Sequence, residues 1–367
     1  MSLCIRVAGA PGEARVAVLR DGVLEDYAIW RPGAPDGVGD IHRGRVLAIV
    51  PAMAGAFVAL AGAEGFLPDT AGAAGRSVGD AVLVRVVRAA LGGKGPRLTA
   101  AEAEAVGLAA TGPPALLRPG PSAVERLAAL YPDAEIGIDE PALLAALRPV
   151  LGARAVAAAR FDDALEAEIE ALAASTVPLA GGGALHIHPT PALCAIDIDT
   201  GAASGARASK AAAQVALNRA ALPELARQIR LRNLGGAILV DFAGMAVRRR
   251  PTLAEPLAAA LAADPLRPRL LGFTHLGLAE ILRPVVHPPL HEVLAGPHAA
   301  GLAALAALAR DCAARPALRP VLRAAPDIVS ALHSDGAALA AFARATGRAP
   351  ELRADPTMTG WANAGEG

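Results

Sequence analysis

A chain of 367 residues that is 54% hydrophobic is long enough to bury two or three modest cores. Its 35 basic and 35 acidic residues cancel, so bulk charge exerts no pull on nucleic acid or on a membrane surface. Three widely spaced cysteines (Cys4, Cys194, Cys312), with no C-x-x-C pair, imply neither a disulfide framework nor a cysteine zinc site.

No stretch of membrane-spanning length is free of charge, and no charged lead-in precedes an apolar run at the N-terminus. A soluble, cytoplasmic protein is the expectation. Residues 13–30 read as a hairpin about Asp21-Gly22, a dipeptide that suits a tight turn between apolar strands. Arg31 to Gly39, rich in proline and glycine, is a domain exit.

From Gly39 to Thr99 short apolar strands alternate with glycine turns, the pattern of a small Greek-key barrel of OB type. Such barrels bind single strands by stacking bases on aromatics in a basic groove. Phe57 and Phe66 fall here beside Arg45, Lys94 and Arg97. Read from residues alone, both phenylalanines fit a barrel core as well as a stacking surface. Between Thr99 and Pro121 the chain offers a Gly/Pro linker and a single basic residue, Arg118.

Mixed α/β patterning then returns. Ser122 to Glu125 spells a capping box, Glu135 to Asp139 a strand, and two helices follow from about Pro141 and Asp162. The acids Asp163, Glu166 and Glu170 read as a solvated helix face. His186 and His188 alternate to one side of what reads as an edge strand, as exposed polar residues do.

The stretch from Leu193 to Phe242 carries the chemistry. A strand ends in Asp197-Ile198-Asp199, a helix runs from about Ser209 to Arg232 with Pro223 inside it, and a second apolar strand ends in Asp241-Phe242. Strand, helix, strand is a right-handed crossover, so the strands are parallel and Asp197, Asp199 and Asp241 reach the same sheet edge. Carboxylates converging there repel unless a hard cation lies between them, and magnesium with its oxygen ligands is the natural candidate. After Asp241, Arg248 and Arg249 open a basic run that reads either as a solvated face or as a hold on phosphate. The segment 302–353 reads as helix, strand, two short helices and strand, with a disordered tail after Pro356.

The runs Ile196 to Gly201, Ala226 to Gly236 and Ile238 to Phe242 resemble the catalytic core of the ribonuclease E/G family. Thr274 to Ile281 is similar to the closing piece of that nuclease domain. The resemblance implies an RNase H-like domain split over 1–38 and 112–178, with an inserted S1-type OB barrel at 39–99 and a shortened linker at 100–111. A DNase I-like α/β catalytic domain at 179–284 and a small C-terminal α/β domain within 285–367 complete an α+β multidomain chain. It implies magnesium held by Asp197 and Asp241, with Asp199 where the family usually has asparagine, and endonucleolytic cleavage of single-stranded RNA. A catalytically weak or inactive RNA-binding protein is the alternative, since Asp199 and Pro191 both depart from the family pattern. The same resemblance makes Phe57 and Phe66 surface stacking residues and Arg45, Lys94, Arg97, Arg248 and Arg249 RNA contacts. The arginine–threonine pair that grips a 5′ monophosphate in larger members has no counterpart between Thr99 and Pro121. The zinc-link cysteines are absent too, and His287, His291 and His298 make a poor substitute. Zinc and a zinc-linked tetramer are therefore not expected, whereas a homodimer is compatible.

Overall fold

The computed structural model describes residues 2–101, 107, 109, 111–180, 182–199, 210–242 and 244–364. The first sheet begins with β1 (Leu3–Ala10), β2 (Glu13–Arg20) and β3 (Val23–Trp30), an antiparallel meander. Asp21 and Gly22 both take positive φ (51° and 81°), the conformation a two-residue hairpin needs to match strand twist. The hairpin is therefore as predicted, and β1 is an element the sequence reading had not assigned.

The barrel follows as β4 (Ile41–Val50), β5 (Gly55–Ala59), β6 (Glu64–Pro68), β7 (Ala81–Arg88) and β8 (Arg97–Ala100). They hydrogen-bond in the order β5-β6-β8-β7-β4, and β4 pairs back onto β5, which closes the cylinder. Val46, Val58, Leu67, Val84 and Leu98 fill its core. β9 (Ala115–Arg118) adds to the outer edge of β4, although its sequence position lies past the barrel segment 39–99. Asp40 ties the two connecting segments together by accepting the Gly120 amide at 2.6 Å.

The chain then rejoins the first sheet through α1 (Ala123–Leu130), β10 (Glu135–Ile138), α2 (Pro141–Leu151) and β11 (Ala155–Ala157). Ser122 and Glu125 form the reciprocal capping box at the start of α1. The strand order is β11-β10-β1-β2-β3, with β10 parallel to β1. α3 (Asp163–Ala171) comes next. Its acids do not form one solvated face, because Glu166 makes a two-pronged pair with Arg15 (2.6 and 2.7 Å).

The second large sheet is built from β12 (Thr176–Pro178), β13 (Ala184–Pro189), β14 (Cys194–Asp199), β15 (Gly236–Phe242), β16 (Arg269–Phe273) and β17 (Ala279–Arg283), in the order β12-β13-β14-β15-β17-β16. Between β14 and β15 runs α4 (Lys210–Leu231), which continues through Pro223 as one helix. α5 (Ala254–Leu261) precedes β16. One face of the sheet meets α4 and α5, where Ile196, Ile198, Leu225, Ile229, Ile238, Val240 and Leu257 are buried together. The alternate residues face the other way, and Asp197, Asp199 and Ala237 are exposed there. The glycine-rich turn expected after Asp199 lies outside the described residues.

Arginines of α4 lock this sheet to the first. Arg227 donates to the Leu24 carbonyl and to Glu168, and Arg230 donates to the Glu25 carbonyl. Leu231 is buried with Leu24, Tyr27 and Leu165 in the core between them.

The C-terminal part holds α6 (Leu290–Val293), α7 (Gly296–Ala314), β18 (Val321–Ala324), α8 (Pro326–Ser334), α9 (Gly336–Thr346) and β19 (Glu351–Ala354). The segment after Pro356 is not a disordered tail throughout: β20 (Trp361–Asn363) pairs antiparallel with β18 and completes a three-stranded sheet. Trp361 packs against the buried cluster of α7 and α9, which gives that short strand its anchor.

Candidate active site

β14 and β15 run parallel, and their register sets Asp197 directly opposite Asp241. Adjacent strands lie about 4.8 Å apart, so the two carboxylates leave neighbouring points of the same face. Ile196, Ile198, Val240 and Phe242 point into the core beneath them, which forces both acids outward. Asp199 shares this face and lies one residue past the last paired position, Ile198 opposite Phe242.

Asp241 is not bare. Arg250 donates from Nη1 to its Oδ1 at 2.6 Å and to the Gly277 carbonyl at 3.2 Å, while Nε donates to the Met245 carbonyl at 3.1 Å. The Arg250 side chain is 11% exposed against 48% for Asp241. Gly277 has φ of +83°, and a Cβ there meets Arg250 Cδ at 2.8 Å, so glycine makes room for the guanidinium. The expected basic run therefore divides. Arg248 and Arg249 stay exposed on a three-ten turn (Val247–Leu253), and Arg250 turns inward to the acid.

Sequence reasoning also set His186 aside on an edge strand. β13 is instead an interior strand, flanked by β12 and β14. His186 stands opposite Asp197 on one side and Thr176 on the other, so the row Thr176, His186, Asp197, Asp241 crosses four strands on one sheet face. Thr176 Oγ1 is 3.2 Å from His186 Nδ1. The alternation of Leu185 and Ile187 into the core was the signal available for this placement.

The barrel residues occupy a different sheet. Phe57 and Phe66 are directly opposed on β5 and β6, half-buried, with ring centroids 5.5 Å apart at 66°. Neither belongs to the barrel core, because the alternating Ala56, Val58 and Leu67 fill it instead. Arg97 stands opposite Phe66, and Lys94, Arg97 and Arg45 are exposed, Arg45 donating to the Gly79 carbonyl at 2.8 Å.

The other histidines do not converge. His287 Nδ1 meets Asp36 at 2.6 Å and His298 Nε2 meets Asp335 at 2.9 Å. No group of three or more His, Cys, Asp and Glu able to hold a metal occurs among the described residues. Seven residues of the interval expected to have lost a 5′-phosphate pocket (102–106, 108 and 110) lie outside the described residues. No described helix is long and apolar enough to cross a membrane.

The segment that carries this acid pair also resembles a known family. Residues 158–285 match the model of the ribonuclease E/G family. A chloroplastic ribonuclease E/G-like protein of Arabidopsis thaliana is 36% identical over 143 residues, 37% of this chain and 14% of that protein. Ribonuclease E of Nostoc sp. is 43% identical over 109 residues (29% of this chain, 16% of the relative), and ribonuclease G of Escherichia coli 37% over 131 residues (35% and 27%). Residues 158–285 are thus similar to the ribonuclease E/G family. The matched stretch of this chain spans less than a third of the length of each of these relatives.

Proposed function

We propose that this chain is a magnesium-dependent endoribonuclease that cuts single-stranded RNA in RNA processing or decay. The observation that carries the reading is Asp197 directly opposite Asp241 on the solvent-facing side of the sheet, within the segment shared with ribonucleases E and G. Magnesium keeps several of its waters and binds through one or two carboxylates plus substrate phosphate. Two opposed carboxylates, both oxygen donors, suit that ion better than zinc, which wants a closed set of nitrogen and sulfur ligands. Asp197 and Asp241 would hold it, with Asp199 at the margin, and when bound the ion supplies charge neutralisation at the phosphodiester and an acidified water.

The closed five-stranded barrel supports an S1-type RNA-binding domain, with Phe57 and Phe66 as the stacking platform and Arg45, Lys94 and Arg97 along the phosphates. Arg248 and Arg249, exposed a few residues beyond Asp241, extend the phosphate contacts toward the acids. In this reading β1–β3 with β10 and β11 form the RNase H-like domain, and the six-stranded sheet the DNase I-like one. The 5′-end pocket of larger members is absent in this account, so entry to the RNA is internal. A non-cleaving RNA-binding protein is the second reading, favoured by one observation: Arg250 already neutralises Asp241. Incubating the protein with labelled single-stranded RNA, with magnesium or with chelator, separates the two. Magnesium-dependent internal cuts support the nuclease, and binding without cuts supports the alternative.

A further inference from the structure

We propose that the C-terminal part carries a second surface for the RNA phosphate backbone, built from the arginines of β18, of β19 and of the loops that lead into them. This role rests on the reading of single-stranded RNA as ligand, independent of cleavage. Its residues lie beyond the segment 158–285 that matches known ribonucleases.

The chain as a whole has as many acids as bases, but this part of it does not mix them evenly. Residues 315–323 hold Arg315, Arg319 and Arg323 with no acid among them, and residues 344–353 hold Arg344, Arg348 and Arg353 with only Glu351. Parallel pairing of β18 with β19 lays the two stretches side by side and sets Arg323 directly opposite Arg353. Before the strands begin, Arg348 donates from Nη1 to the Leu318 carbonyl at 3.3 Å, which ties the two loops together. Leu322 and Leu352 pack into the buried cluster of α7 and α9, so Arg323 and Arg353, one residue on, point to the opposite face. All six arginines are exposed.

Neighbouring acids do not cancel this charge. Glu351 is shared, accepting from Arg319 Nη2 and Arg353 Nε at 2.7 Å each. Asp355 lies 3.6 Å from Arg323, and Asp311 lies 3.6 Å from Arg315. Three carboxylates thus face six guanidiniums. Like charges set directly opposite each other on paired strands cost stability, and a bound anion removes that cost. The rest of the surface says which anion. Among the described residues of 296–364 no large apolar side chain is exposed, so none is placed to enter a lipid bilayer. Separate cations spread over two adjoining stretches match a ligand that repeats its phosphates, and the guanidinium fork binds phosphate oxygens two at a time. Contacts of this kind position RNA without reading its sequence.

The test compares wild type, Arg323→Gln/Arg353→Gln and Arg323→Lys/Arg353→Lys in binding labelled oligo(U) and oligo(A), by fluorescence polarisation. Chelator is present throughout, which withholds the metal that cleavage requires in the nuclease reading. The glutamine pair should weaken both RNAs alike, by about tenfold at low salt, the scale of two lost ionic contacts. It should also lower the slope of log affinity against log salt by about 1.4, at about 0.7 for each contact with a single strand. The lysine pair should recover most of the affinity, and all three proteins should melt alike. A glutamine pair that binds both RNAs as tightly as wild type overturns the proposal. So does a loss that lysine leaves in place, which would make the two arginines structural. If the glutamine pair instead abolishes co-sedimentation with phosphatidylglycerol vesicles while RNA affinity holds, the surface belongs to a membrane and the proposal fails. A wild type that binds no RNA overturns the RNA reading itself, an outcome distinct from these.

Discussion

Arg250 donates from Nη1 to Oδ1 of Asp241 at 2.6 Å, and two backbone carbonyls, of Met245 and Gly277, fix the guanidinium from the other sides. One carboxylate oxygen is thereby committed and the other is left for the site. Arg250→Gln removes the hold while keeping Asp241. Partners that orient a metal-binding carboxylate are worth about 10–100-fold in affinity or activity, so kcat should fall by about that factor. Fluorescence-polarisation binding should show RNA affinity close to wild type. A variant with full activity would mean that Asp241 needs no such support.

Phe57→Ala and Phe66→Ala should each weaken single-stranded RNA binding by about 1–3 kcal/mol, the usual worth of a stacked base. The rings touch each other edge to face and lie outside the barrel core, so neither change should reach about 3–5 kcal/mol, the cost of a core Phe-to-Ala truncation. Affinity and melting temperature measured side by side check this. Unchanged affinity with a large fall in melting temperature would return both residues to the core.

Arg283 and Asp264 make a buried ion pair at 2.6 Å, with side chains 4% and 3% exposed. Arg283 also donates to Asn233 Oδ1 at 2.7 Å and the Leu234 carbonyl at 3.0 Å, which pins the turn that leads into β15. Breaking a buried pair leaves a charge without its partner and costs about 3–5 kcal/mol. Asp264→Ala should show a loss of that order in urea unfolding. A change within about 1 kcal/mol, the scale of exposed pairs, would contradict the burial argument.

Burial pushes the Asp36 carboxyl up, but the His287 imidazole at 2.6 Å, by hydrogen bond and charge, more than offsets this and holds it below the usual carboxylate value. A depressed folded-state pKa stabilises above the unfolded value of about 3.9 and loses that contribution as pH falls through the folded value. Asp36→Asn should therefore lower the melting temperature near neutral pH, with the gap narrowing as pH falls below the unfolded carboxylate value. Thermal scans of both proteins across that range decide it. A gap that persists in acid would place the effect elsewhere.

The acid pair was legible in the sequence because two rules suffice for it. Side chains alternate along a strand, and a strand–helix–strand crossover makes the strands parallel, so Asp197 and Asp241 had to reach one edge. The row that extends to His186 and Thr176 was not legible, since it depends on antiparallel registers set by turns, where a slip of one residue reverses every side chain. Arg250 was hidden inside a basic run because a three-ten turn, rather than an α-helix, decides which of three adjacent arginines points inward. Arg227 and Arg230 looked like part of a family motif and turn out to fasten α4 to β3. β20 was missed because three residues after a Pro/Thr/Gly stretch carry no periodicity, and pairing with β18 alone makes them a strand.

The most direct measurement is cleavage of a labelled single-stranded RNA by wild type, Asp197→Asn and Asp241→Asn across a magnesium titration, with RNA affinity and melting temperature recorded for each. Each change removes one carboxylate oxygen charge from the opposed pair and leaves the strands in place. The account predicts magnesium-dependent cuts by wild type, none by either variant, and affinity and stability near wild type for all three. Full cleavage by either variant would contradict it.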